Sequence, residues 1–205
     1  MVDHRGDWPV LVDEASRVSS FAIELTALGE DELPGLLSFL SPGPSLPFRY
    51  VSVHGPSKGR QMPEEELVAR LVELPPIVDA IVLHPDQMED PMLYAPLDHR
   101  LLIENMDSRK GVGRLASELA QLFEQLPTAG FCFDIAHAWT VDPTMQVAEE
   151  LLDRFAPRLR HVHLSSMSDD LGHVPLSVEQ ETLFAPLLSR CSDVPWILEA
   201  EPPQR

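Results

Sequence analysis

Six short apolar runs in this chain each stop on a side chain able to bind a metal or move a proton, and that recurrence constrains the fold more than any other feature. Tyr50 to Val53 stops at His54, Ala80 to Leu83 at His84, Leu101 to Ile103 at Glu104, Gly130 to Phe133 at Asp134, Leu159 to Val162 at His163, and Trp196 to Leu198 at Glu199. His137 follows three residues after Asp134. With 8 His and 33 acidic residues among 205, six such endings in a row would arise by chance only about once in ten thousand tries. Runs of this length, bounded by turn residues, read as buried strands. In a barrel of parallel strands the carboxy-terminal ends open on one face, so scattered side chains converge on one mouth.

The intervening segments carry helical spacing. Helices are expected over Trp8 to Ser20, Glu30 to Leu40, from Pro63 to the Pro75-Pro76 break, Gly113 to Leu126, Thr144 to Phe155 and Glu179 to Ser189. Phe21 to Leu25 reads as a further strand, in which Glu24 is either a pore-lining structural acid or a site residue. Pro85 to Arg100, with Pro91 and Pro96, reads as a loop with at most a short helix, and Ser165 to Gly172 as a polar loop. Strand and helix alternate without a hairpin signal, which predicts a parallel α/β sheet. The count is seven strands where a closed (β/α)8 barrel needs eight. At 205 residues the chain is short for that barrel, which takes about 250. One domain is expected over residues 1–205, with a helical segment at 1–20 and the barrel at 21–205.

Composition narrows the partners. The formal charge of −18, from 15 basic against 33 acidic residues, repels a polyphosphate backbone, so tight nucleic-acid binding is disfavoured and a small-molecule substrate is expected. No apolar run approaches the ~18 residues of a membrane span, and the polar stretch from Met1 to Asp7 predicts neither signal peptide nor anchor. Cys132, inside a strand, reads as core; with Cys191 it makes a poor disulfide framework and fits a reducing cytoplasm.

Val53-His54-Gly55-Pro56, Leu83-His84-Pro85, Ile103-Glu104-Asn105-Met106, Phe133-Asp134-Ile135-Ala136-His137, His161-Val162-His163-Leu164-Ser165 and Leu198-Glu199 together resemble the ordered motifs of the xylose isomerase-like barrel superfamily. That superfamily joins sugar isomerases and epimerases with the endonuclease IV type of apurinic-site nuclease. The resemblance runs from about Phe21 to the end and implies a TIM-type barrel shortened to seven parallel strands, the first family strand missing. It leaves an open edge for Trp8 to Ser20 or a second copy of the chain to cover. It also implies a principal metal position on Glu104, Asp134, His163 and Glu199. A second position would use His54 and His84, with Glu104 shared between the two. Mixed oxygen and nitrogen donors suit Mn, Zn, Fe or Co, from one to three ions. A third position would take His137 with an Asp-x-His pair; His173 is present, but Leu171 stands where the Asp belongs, and Asp169 and Asp170 fall too early. In epimerase-like members the residue matching His137 contacts substrate instead.

Other residues receive plainer roles. His161 shares strand parity with His163 and reads as core or as support for a ligand. His99 and Glu201 read as rim residues and His4 as part of a tail. Lys58, Arg60, Arg109 and Lys110 follow strand ends; Lys58 and Arg109 are the candidates to hold an anionic substrate group, beside His137. The runs Glu64 to Glu66 and Glu149-Glu150 read as solvated helix faces. The first functional expectation is isomerisation or epimerisation of a small sugar or sugar phosphate through an enediolate, with Glu104 and Glu199 exchanging a carbon-bound proton. The second is multinuclear phosphoester hydrolysis. The third is a catalytically silent metal-binding or scaffold subunit.

Overall fold

The computed structural model describes residues 6–200, so His4 and Glu201 lie outside the described residues. Helix α1 (Trp8–Val18) leads into strand β1 (Ala22–Thr26), then α2 (Leu33–Leu40), β2 (Tyr50–His54), α3 (Glu64–Val72) and β3 (Ala80–Leu83). Next come β4 (Leu101–Glu104), α4 (Ala116–Gln125), β5 (Gly130–Asp134), α5 (Ile135–Val141), α6 (Gln146–Phe155) and β6 (Leu159–Leu164). The chain closes with β7 (Ser166–Met167), β8 (His173–Val174), α7 (Val178–Leu188) and β9 (Trp196–Leu198). Seven strands form one sheet in the order β1-β2-β3-β4-β5-β6-β9, a parallel α/β barrel of the TIM type. The expectation of no hairpin is corrected on a small scale: β7 and β8 pair antiparallel, with Met167 opposite His173. No helix among the described residues is long and apolar enough to cross a membrane.

The chain divides into two compact units. The first runs to Leu83 and adds residues 87–102 and 125–129. Its α1 starts with Pro9 in the first turn, where the missing N–H costs nothing, and Asp7 accepts from the Val10 amide. Trp8 turns inward, donates to the Thr26 carbonyl and stacks on Phe39, and a Cβ at Gly35 would sit 3.0 Å from its ring. Strand β1 runs parallel to β2 with Ala22 opposite Tyr50. Glu24 accepts from Ser52 at 2.8 Å, which gives it a structural task.

Glu64 departs from expectation. Glu65 and Glu66 are exposed, but Glu64 is only 7% exposed. It turns in because the chain entering the 3-10 segment Pro91–Arg100 has amides to satisfy: Glu64 accepts from Glu89 N at 2.8 Å and Asp90 N at 3.0 Å, and pairs with Arg60 at 3.1 Å. That segment is also more ordered than a loop, being started by Asp90 capping Met92 N. Burial pushes the Glu64 carboxyl up, yet the two amides, Tyr94 and Arg60 hold it below its ordinary 4.5. A depressed folded value contributes stability that is present above the unfolded value and lost as pH falls through the folded one. Glu64→Gln should therefore lower stability by about 1–3 kcal/mol at neutral pH. Urea unfolding should find the gap to wild type narrowing as the medium is acidified below pH 4.5.

The second unit holds His84–Asp86, residues 103–124 and the chain from Gly130 onward. Its core includes Phe123, Phe131 and Phe155, with ring centroids 4.9 to 6.3 Å apart, which lock α4, β5 and α6 together. Ser177 and Gln180 cap α7 reciprocally. The pairing of β5 with β6 starts with Phe131 opposite Leu159, then shifts so that Cys132 faces His161 and Asp134 faces His163. The shift leaves Arg160 as the extra residue of a bulge. Without it Asp134 would lie level with Val162, and His163 would point to the other face.

Candidate metal centre

The second unit brings together most of the expected ligands. Glu104 ends β4 at 1% exposure, and Asp134 and His163 are fully buried at the end of β5 and within β6. One ligand atom from each of these three lies within 4.8 Å of the others. His163 Nδ1 stands 3.2 Å from Glu104 Oε1 and 3.3 Å from Glu199 Oε1, which ties Glu199 to the same spot. Asp134, His173 and Glu199 form an overlapping group, with His173 Nδ1 3.3 Å from Glu199 Oε2.

The two oxygens of Glu104 face different imidazoles. Oε1 meets His163 and His137, each at 3.2 Å, whereas Oε2 meets His84 Nε2 at 3.2 Å. His54 closes β2 in the first unit, buried, with Nδ1 2.9 Å from the Gly55 carbonyl. His137 belongs to α5, a helix the sequence reading missed because it is seven residues long and begins inside the strand motif. Asp134 caps that helix through the His137 amide at 2.7 Å. The His137 ring sets Nδ1 2.9 Å from the Asn105 carbonyl, 3.2 Å from Glu104 Oε1 and 3.4 Å from Asp134 Oδ2.

Asn105 is the functional residue that reading missed. Fully buried, it donates to the Asp134 carbonyl at 2.8 Å and accepts from the Asp134 amide at 2.9 Å. An amide has a donor and an acceptor side by side, so it can clamp both backbone groups of one residue. The signal was its place directly after Glu104. Asp107, also buried, takes Arg109 in a fork of 3.0 and 2.9 Å and leaves that guanidinium half exposed. Lys110 is paired with Asp86 at 2.6 Å, Arg60 with Glu64 and Glu89, and Lys58 is exposed.

The third position lacks its acid. Leu171 occupies the β7–β8 turn with a left-handed φ of 57°, and Asp169 and Asp170 are exposed, Asp170 accepting from Ser168. The rings of His137 and His173 lie 5.6 Å apart without that carboxylate between them in sequence.

Electrostatics test whether a cation fits. Burial alone would raise the Glu104 carboxyl, but His163, His84 and His137 hold it well below the ordinary range. Glu199 goes well above, through burial and the charges of Asp134 and Glu104. His137 is opposed by burial and nevertheless pushed up to about 10 by Asp134 and Glu104. Asp134 Oδ2 and Glu199 Oε2 are buried and accept no hydrogen bond. Buried carboxylate oxygens left in that state cost several kcal/mol, and a divalent cation removes the cost. The residues therefore fit an ion, and their mixed oxygen and nitrogen donors suit Mn, Zn, Fe or Co.

The family model described as xylose isomerase-like TIM barrel matches residues 93–189. In fold the chain is similar to endonuclease IV from Thermus thermophilus, at 23% identity and a TM-score of 0.62, over 95% of this chain and 87% of that one. It is also similar to an AP endonuclease, family 2, from Brucella melitensis, at 14% identity and a TM-score of 0.53, over 90% and 83%. No curated protein matches the chain.

Proposed function

We propose that this chain, which belongs to the xylose isomerase-like barrel superfamily, is a metal-dependent phosphoester hydrolase acting on a small sugar phosphate. The observation that carries the reading is Glu104, whose Oε1 faces His163 and whose Oε2 faces His84. Glu104 would hold a cation together with His163 and could share in holding a second together with His84, and a pair of cations would suit phosphoryl transfer. When bound, such ions supply an activated water and steady the leaving oxygen.

The protein's own groups do the rest. Asp134, His163 and Glu199 complete the principal position, and His84 supplies the second. His137, held by the Asn105 carbonyl, faces Glu104 and Asp134 at the edge of the principal position. Arg109, oriented by Asp107, offers its remaining donors to the substrate's anionic group. Two neighbours in fold bear the names of endonucleases, which supports the same chemistry. The charge of −18 favours a small substrate. The isomerase reading keeps one observation in its favour: Glu199 Oε2 lacks a hydrogen bond, as a base awaiting a carbon-bound proton would.

Assays of metal-loaded protein in deuterated water separate the readings, with sugar phosphates, ketoses and an abasic-site duplex as substrates. Phosphate release, lost by about a hundredfold or more in His84→Ala, and no deuterium on carbon are expected. Deuterium on substrate carbon with His84→Ala little affected would replace the hydrolase by the isomerase. Metal bound with neither activity would favour the scaffold role. Cleavage of the duplex with sub-micromolar Kd at physiological salt would overturn the small-substrate assignment.

A further inference from the structure

His161 is fully buried two residues before His163 on β6, so both rings project from the same face of the strand. Their Nε2 atoms lie 3.2 Å apart, with ring centroids at 4.9 Å and planes 23° from parallel. Two imidazole nitrogens at hydrogen-bond distance hold one proton between them, so one donates and the other accepts. On its opposite side His163 presents Nδ1 to Glu104 and Glu199. A neutral imidazole whose Nδ1 lone pair is given to a cation must carry its hydrogen on Nε2.

We infer that His161 is a positioning residue: it accepts the Nε2 hydrogen of His163 and so fixes the ring and tautomer that offer Nδ1 to a divalent cation. Such an outer partner is usually a carboxylate, a carbonyl or water; here a second imidazole, sealed in the core, takes the place. Packing alone does not account for it, since a polar ring at zero exposure costs free energy that a Leu or Phe would not. One competitor exists on the same atoms. Cys132 lies opposite His161 in the sheet, and Cys132, His161 and His163 have ligand atoms within 4.8 Å of one another. A soft cation on that trio would use His163 Nε2, the opposite nitrogen from the one inferred here.

The inference rests on the reading of Glu104, Asp134, His163 and Glu199 as ligands, and its test separates the two. In the 15N-labelled full chain loaded with Zn, NMR should find the metal on His163 Nδ1 and the hydrogen on Nε2. Zn titration should show His161→Phe binding about 10–100-fold more weakly than wild type. His161→Gln, whose amide oxygen can accept the same hydrogen, should come within about fivefold of wild type. Zn uptake by wild type that His161→Phe leaves unchanged would overturn the inference alone. Zn on His163 Nε2, or a thiolate-to-metal charge-transfer band after Co loading, would overturn it in favour of the Cys132 trio. No Zn uptake by wild type would overturn the ligand reading and this inference with it. Should His161→Phe not fold, the labelled wild type and His161→Gln decide.

Discussion

Glu104→Gln should take up less than about a tenth of an equivalent of Mn, Zn, Co or Fe and lose phosphoester hydrolysis by on the order of a thousandfold. The expectation follows from how completely Glu104 is used. At 1% exposure it faces His137 and His163 with one oxygen and His84 with the other. Glutamine keeps the shape, removes the charge and turns an NH2 toward imidazoles arranged for a carboxylate. Both metal positions in the proposed reading lose a ligand at once, whereas His84→Ala removes one ligand from one position. The companion measurement is melting with and without added metal. Wild type should gain stability on metal addition, by about 4 kcal/mol at a thousandfold excess over Kd, and Glu104→Gln should gain close to nothing. A variant that still binds an equivalent of metal would show that Glu104 is not a ligand.

Asn105→Ala should have the largest effect on stability of any change outside the apolar core. The amide pairs with both the N–H and the C=O of Asp134 in a fully buried place. Alanine leaves both backbone groups without their partner, and each costs about 1–3 kcal/mol when left so. A loss of about 2–4 kcal/mol in denaturant unfolding of metal-free protein is expected. Metal affinity should fall too, since Asp134 also caps α5 and fixes His137. Asn105→Asp tests the cause: it keeps the acceptor for Asp134 N, loses the donor and adds a negative charge beside Glu104. It should be at least as damaging to stability above the carboxylate range. A change below about 0.5 kcal/mol in Asn105→Ala, the scatter of ordinary surface substitutions, would remove the clamp from the account.

The strand ends were legible because each apolar run is short, fully buried and bounded by turn residues, so the side chain that breaks it stands out. That reading reached Glu104, Asp134 and His163, which the structure brings within 4.8 Å, and Glu199 beside them. The helices were legible where a buried stripe repeats, as in α4 and α6, but their starts were set too early: α4 begins at Ala116 and α6 at Gln146. Helix α5 was hidden because its capping residue, Asp134, is also the acid that ends β5, and all of Ile135 to Ala138 is buried, which removes the polar face that periodicity needs. The β6 bulge at Arg160 was out of reach because register depends on two strands at once. Glu64 was misread for a related reason: its partners, the amides of Glu89 and Asp90, lie 25 and 26 residues away. Charge gave less guidance than its size suggested, because acids such as Glu104 and Asp134 count toward −18 without facing solvent.

Anomalous diffraction from crystals of the Mn- or Zn-loaded chain tests the central claim most directly. The account predicts one ion among Glu104 Oε1, Asp134, His163 Nδ1 and Glu199, and a second on Glu104 Oε2 with His84. A single ion elsewhere, or none, with Asp134 Oδ2 and Glu199 Oε2 still lacking a hydrogen bond, would contradict it.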